Sequence, residues 1–338
     1  MTEEQNLPEE IVSEPAHVIP SNKHQPRISY FGQLGILLGF AGAGLIIGSV
    51  VFVLIWKLMT GASILNLEKD MGKLQYANAA KLAQLISSVF MFFVPAFFYA
   101  MIVNRKPLQH LGFRKMVSAK QFILAIGIAA FGFLLSIILS EVTQLIPLSK
   151  NLTALFHKWD DSYNEQVMAM ASMKNLGDYF FTLLVIALAP AIVEEALFRG
   201  GLQQLLEKWF RNATVAIIVT SILFSAIHGS YYGFLSRFAL GIMLGLLFYY
   251  SRNIWLNILM HFINNAIAVT QLYVITRSSK LTKETMDDNL HLGYPSILIS
   301  LFLIAVLYFF FKEFKKESER IGATAIDNTF SPDDNPFA

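Results

Sequence analysis

No cysteine occurs in the 338 residues of this chain. Disulfides, thiol nucleophiles, Cys-type metal sites and palmitoylation are thereby excluded. Equally absent are a Gly-x-Ser-x-Gly nucleophile elbow, a His-Glu-x-x-His zinc helix and a Gly-x-Gly-Asp pair of the intramembrane aspartyl type. Charge is scarce: charged residues make up 15% of the chain against 55% hydrophobic ones. No soluble domain of this size could hide so much apolar surface, so the composition reads as an all-α, polytopic transmembrane bundle. A net charge of +2 offers no basis for nucleic acid as a partner.

What is present is a series of long apolar runs. Eight approach spanning length: 31–56, 79–103, 120–146, 177–206, 213–229, 235–250, 254–275 and 294–311. They predict about eight spans. Residues 1–28, with five glutamates, read as a disordered acidic tail, and 316–338 as a second disordered tail. Segments one to three with their loops (29–176) read as support, 177–275 as a catalytic core, and 276–315 as a loop and the last helix. The 104–120 connection carries Arg105, Lys106, Arg114, Lys115 and Lys120 and no acid, which places it and both termini in the cytoplasm.

Polar residues gather in segments four to seven. The fourth contains Pro190-Ala-Ile-Val-Glu-Glu-Ala-Leu-Phe-Arg199, with two carboxylates and an arginine inside an apolar run. Charges at hydrocarbon depth cost a few kcal/mol or more, so they default to a functional hypothesis. Glu195 and Arg199 are i,i+4 and can pair on one face. Glu194 is turned about 100° away and has no cation in its own turn. One acid is thus neutralised locally and the other left for chemistry; the alternative is a structural network of all three. His228, four residues after Phe224, closes the fifth segment. His261 and Asn265, again i,i+4, share a face of the seventh, with Asn264 beside them. A lone intramembrane histidine is more often a helix-helix hydrogen bonder than a catalyst. Two of them, with an asparagine and an unpaired glutamate in four consecutive spans, favour chemistry.

Helix rise tests whether these groups can meet. Glu194 stands about 21 Å above Lys208, and His228 about 24 Å above Asn212, a close match. His261 lies only about 13 Å above Arg252. Tilt, or a kink at Pro190, must close that difference. The set suits hydrolysis by activated water. A desolvated Glu194 serves as general base with His228 sharing the water, while His261 and Asn265 donate to the oxyanion.

Glu194-Glu195-x-x-x-Arg199, Phe224-x-x-x-His228 and His261-x-x-x-Asn265 resemble the three signature motifs of the CPBP intramembrane proteases. That family includes the type II CAAX prenyl endopeptidases and bacteriocin-processing or immunity proteins. The resemblance covers roughly residues 177–270, with Asn253 and Trp255 leading into the third motif. It implies an intramembrane endopeptidase of glutamic type in which Glu194 and His228 activate water. His261 and Asn265 then form the oxyanion site, and Glu195 and Arg199 orient it. The family has also been classed as metalloendopeptidase. No cofactor is expected, the alternative being zinc held by Glu194, His228 and His261 as His₂Glu. The expected partners are a peptide or protein substrate, itself membrane-associated or not, and the lipid bilayer. The expected location is a bacterial cytoplasmic membrane. Two other functions compete: a non-proteolytic scaffold or immunity protein of the same fold, and a proton-coupled transporter. Against the transporter, no second half with matching interrupted helices is visible.

Overall fold

The computed structural model describes residues 28–114, 117–170, 173–277 and 292–322. It is all-helical, with no strand among the described residues. Helix α1 spans Tyr30–Thr60, α2 Leu74–Val103, α3 Ala119–Gln144, α4 Lys150–Met170 and α5 Leu176–Phe210. Then follow α6 Ala213–Ala226, α7 Phe234–Ser251, α8 Ile254–Arg277 and α9 Pro295–Arg320. Seven of these (all but α4 and α6) are long and apolar enough to cross a membrane.

One expected span is shorter than its apolar run. Of 213–229 only Ala213–Ala226 is α-helical, 14 residues. That is about 21 Å, short of the about 30 Å hydrocarbon core. The chain leaves the helix through a turn at Ile227 and His228, and Gly229 adopts a left-handed φ of 63°. At the other end the last helix outruns its expectation. It continues to Arg320, five residues into the stretch read as tail. Its last turn docks on the start of α3: the Ser118 hydroxyl donates to Glu317 Oε1 (2.7 Å) and Gln121 Nε2 to Ser318 Oγ (2.9 Å). Residues 1–27 and 323–338, and most of the 276–293 connection, lie outside the described residues.

Local sequence sets the helix ends. Ser29, Ser118, Asn175 and Asn212 each cap a helix N-terminus by accepting a backbone N–H. Both interrupting prolines sit just past a π-helical turn. Val89–Phe93 precedes Pro95 in α2, and Leu183–Leu188 precedes Pro190 in α5. Proline lacks an N–H and crowds the carbonyl four residues back, so a widened turn there relieves the clash. A third π segment, Ala196–Gln203, follows Glu195 directly.

One apolar core runs through the bundle, joining Leu37 of α1, Tyr99 of α2, Ile128 and Leu135 of α3, Phe198 of α5, Phe224 of α6, Leu244 of α7, Met260 of α8 and Leu307 of α9. The outward faces are apolar as well: Leu45, Ile46 and Leu54 of α1, Ile123 of α3, and Leu298, Leu301 and Phe302 of α9 are exposed. A bundle apolar both inside and out is built for lipid, and the chain is a multi-pass integral membrane protein.

Candidate functional site

The site is assembled from the middle of α5, the end of α6 and the middle of α8. Glu195 is fully enclosed, with no exposed surface. Its Oε1 accepts from Arg199 Nη1 (2.7 Å) and lies 2.9 Å from His261 Nδ1. Its Oε2 accepts from Asn257 Nδ2 at 3.2 Å. Arg199 is equally buried; its other amino nitrogen donates to the Gly241 carbonyl (3.3 Å) and its guanidinium lies 4.6 Å over the Phe224 ring. The pair inferred from i,i+4 spacing is therefore formed, and it carries His261 as a third member.

Glu194 is placed differently. Its side chain is 13% exposed, and Oε2 is a buried oxygen with no hydrogen-bond partner. That carboxylate faces His261 Nε2 across 4.0 Å. His261 thus stands between the two glutamates, bonded to Glu195 through Nδ1 and turned toward Glu194 with Nε2. Part of the depth mismatch is taken up along α5, because a π turn holds more residues than an α turn. With Ala196–Gln203 wound that way, Glu194 stands closer to the helix end than a uniform α rise implies.

Phe224 sits at the middle of the remaining groups. Its ring meets His228 edge-on at 5.1 Å, His261 at 5.8 Å and Phe198 at 5.3 Å, all T-shaped. His228 is half-buried, with Nδ1 2.8 Å from the Phe224 carbonyl. Since a carbonyl only accepts, Nδ1 carries the proton and Nε2 is left for other work. Asn265 lies one turn beyond His261 on the same face, and its Nδ2 reaches the Ile186 carbonyl at 3.4 Å, a long bond. Asn264 Oδ1 is buried without a hydrogen-bond partner.

A zinc ion here would take Glu194, His228 and His261 as its donors. Both histidines have Nδ1 tied to an oxygen, which is how ligand histidines are oriented. Yet Glu194 and His261 are 4.0 Å apart, whereas two ligands of one tetrahedral zinc stand about 3.3 Å apart. Among the described residues no three His, Asp or Glu side chains group at metal-binding spacing. The His₂Glu set does not fit as arranged.

A family model described as Rce1-like, Type II CAAX prenyl endopeptidase Rce1-like, matches residues 176–267. Over that stretch the chain is similar to that family. The match runs from the start of α5 to the middle of α8 and includes Glu194, Glu195, Arg199, His228, His261 and Asn265. No curated protein and no solved structure matches the chain.

Within the Rce1-like stretch, two features escaped sequence reasoning. The first is Asn257, fully buried, which besides holding Glu195 donates to the Leu244 carbonyl at 2.7 Å. It lies four residues before His261, so extending the His261–Asn265 stripe one turn back would have found it. The second is a buried polar ladder on α5. Glu195, Arg199, Gln203 and Glu207 follow at four-residue steps, with Gln203 Nε2 donating to Glu207 Oε1 (2.8 Å) and to the Gly245 carbonyl (3.0 Å). Arg252 closes the ladder by donating to Glu207 Oε2 at 2.5 Å. Glycine at 241 and 245 lets α6 pack closely on the same face of α7: a Cβ on Gly241 would sit 2.8 Å from Ser221 Cβ, and one on Gly245 2.7 Å from Ile217 Cγ2 and 3.1 Å from Gln203 Oε1.

Proposed function

We propose that the protein is a CAAX-protease-like intramembrane endopeptidase that cuts a peptide bond with water activated at Glu194. The observation that carries this reading is the buried Glu194 Oε2, without a hydrogen-bond partner, facing His261 Nε2 across 4.0 Å. That separation is too long for a direct hydrogen bond and short enough for one oxygen of a reacting group, sitting beside the gap, to reach both. In this reading Glu194 takes the proton of the attacking water while His228 Nε2 shares the same water. The carbonyl oxygen becomes an oxyanion on the other side of the gap, against His261 Nε2–H and Asn265 Nδ2. The proton on Glu194 then passes to the departing amine.

Charge balance supports the role of His261. An imidazolium there gives the buried carboxylates Glu194 and Glu195 a cation beside Arg199. As an imidazolium His261 donates Nδ1–H to Glu195 and turns Nε2–H toward Glu194's side. Glu195 and Arg199 act as orienters, because both Glu195 oxygens are taken up by Arg199, His261 and Asn257. No step is routed through a metal.

The test is a purified-protein assay with a defined peptide. Glu194→Gln keeps shape and removes the base, so cleavage falls by about 10²–10⁴-fold in a folded protein. Strong chelators leave the wild-type rate unchanged, and elemental analysis finds no stoichiometric zinc. Zinc whose removal abolishes cleavage and whose return restores it would replace this mechanism. Undiminished cleavage by Glu194→Gln would end it.

A further inference from the structure

We infer that Asp160, on helix α4 and outside the Rce1-like stretch, is a positioning residue that clamps the turn carrying His228. After α6 the chain passes His228, bends at Gly229 and reverses through residues 230–233 into α7. Ser225 Oγ closes the base of this reversal by donating to the Phe234 carbonyl (2.6 Å), and Gly233 N–H donates to Ser230 Oγ (3.1 Å). Asp160 supplies the rest. Its Oδ1 accepts from Ser230 Oγ at 2.5 Å and its Oδ2 from the Tyr231 N–H at 3.2 Å, so both oxygens bond to the two residues that follow Gly229.

The clamp is buried and reinforced. Asp160 is 8% exposed, and Phe156, one turn earlier on the same face, stacks on Tyr231 at 4.2 Å with 2° between planes. His157 Nε2 lies 3.2 Å from the Tyr232 hydroxyl. Hydrogen bonds to an ionised acceptor are about twice as strong as neutral ones. Their removal strands a buried hydroxyl and a part-buried N–H, and the turn relaxes. His228 is two residues away, with its ring held from behind by the Phe224 carbonyl and edge-on by the Phe224 ring. A displacement of about 1 Å there is enough to cost about 10²-fold in rate.

The kinetic arm of the test rests on the hydrolase reading; the labelling arm does not. In this cysteine-free chain His228→Cys provides one half-buried thiol. Adding Asp160→Ala should speed its alkylation by a maleimide about tenfold, while Lys158→Ala, exposed on the same helix, should not change it. With His228 intact, Asp160→Ala should lower kcat about 10–100-fold with KM within about twofold. Asp160→Asn, which keeps an acceptor for one of the two donors, should recover part of that loss. If the alanine variant does not fold, the asparagine variant carries both arms. Unchanged labelling together with unchanged kcat would overturn the proposal, as would a loss of kcat matched by an equal loss of folded protein. Faster labelling in a protein that cleaves nothing, wild type included, would sink the protease reading and leave the clamp standing.

Discussion

Replacing Glu195 by glutamine should damage the fold far more than the same change at Glu194. The glutamine is nearly isosteric, so the effect isolates charge and hydrogen-bond direction. Glu195 has no exposed surface and accepts from Arg199, His261 and Asn257. With the oxygen of the new amide facing Arg199 and His261, its nitrogen would meet Asn257 Nδ2, which now stands 3.2 Å from Glu195 Oε2, donor against donor. Asn257 cannot turn its amide over without losing the 2.7 Å bond to the Leu244 carbonyl. Arg199, fully buried, would be left without its counter-ion, and stranding one member of a buried pair costs about 3–5 kcal/mol. Glu194, whose Oε2 bonds to nothing, should lose no more than about 1 kcal/mol as glutamine. Unfolding of the purified protein in mixed micelles, followed by circular dichroism, measures both. The double change Glu195→Gln with Arg199→Met removes both charges and should recover a good part of the loss. Equal stability of the two glutamine variants, or no recovery in the double variant, would refute this division between the acids.

Three further outcomes are expected. His261→Ala and Asn265→Ala should each lower turnover by about 10²–10³-fold, read as kcat on a defined peptide. Gly241→Val should destabilise by about 1–3 kcal/mol in the same unfolding assay, because its Cβ would lie 2.8 Å from Ser221 Cβ and 3.0 Å from that residue's Cα. Cysteines placed at the exposed Gln109 and Asn151 should react with an impermeant thiol reagent from opposite sides of the membrane, Gln109 from the cytoplasm; labelling of Gln109→Cys from outside intact cells would reverse the orientation.

The parts of the site that were legible in the sequence are those set within one helix turn. Glu195–Arg199, Phe224–His228 and the shared face of His261 and Asn265 follow from 3.6-residue periodicity, and the ion pair and ring contact are present. What periodicity cannot reach is pairing between helices. That His261 bonds the structural glutamate and only faces the other depends on how α8 rotates against α5, over 66 residues of separation. The short α6 was hidden for a different reason. Ile227 continues the apolar run, so hydropathy counts past the point where backbone geometry stops the helix. The π turns were half legible: Pro95 and Pro190 announce a disturbance, but its form depends on packing around the widened turn.

The ladder on α5 also limits how this bundle can breathe. Arg199, Gln203 and Glu207 fasten α5 to α7 and its end through Gly241, Gly245 and Arg252. Parting those two helices would expose an arginine and an amide inside the bundle, where no water receives them. The seam between α5 and α8 is uneven by comparison. It is bolted at Glu195–His261, while toward the opposite end its polar links are the long Asn265–Ile186 contact and the Tyr179–Thr270 hydroxyl pair at 2.9 Å. Of the two seams, the one between α5 and α7 is therefore the harder to part, and the one between α5 and α8 opens most readily at its Asn265 end.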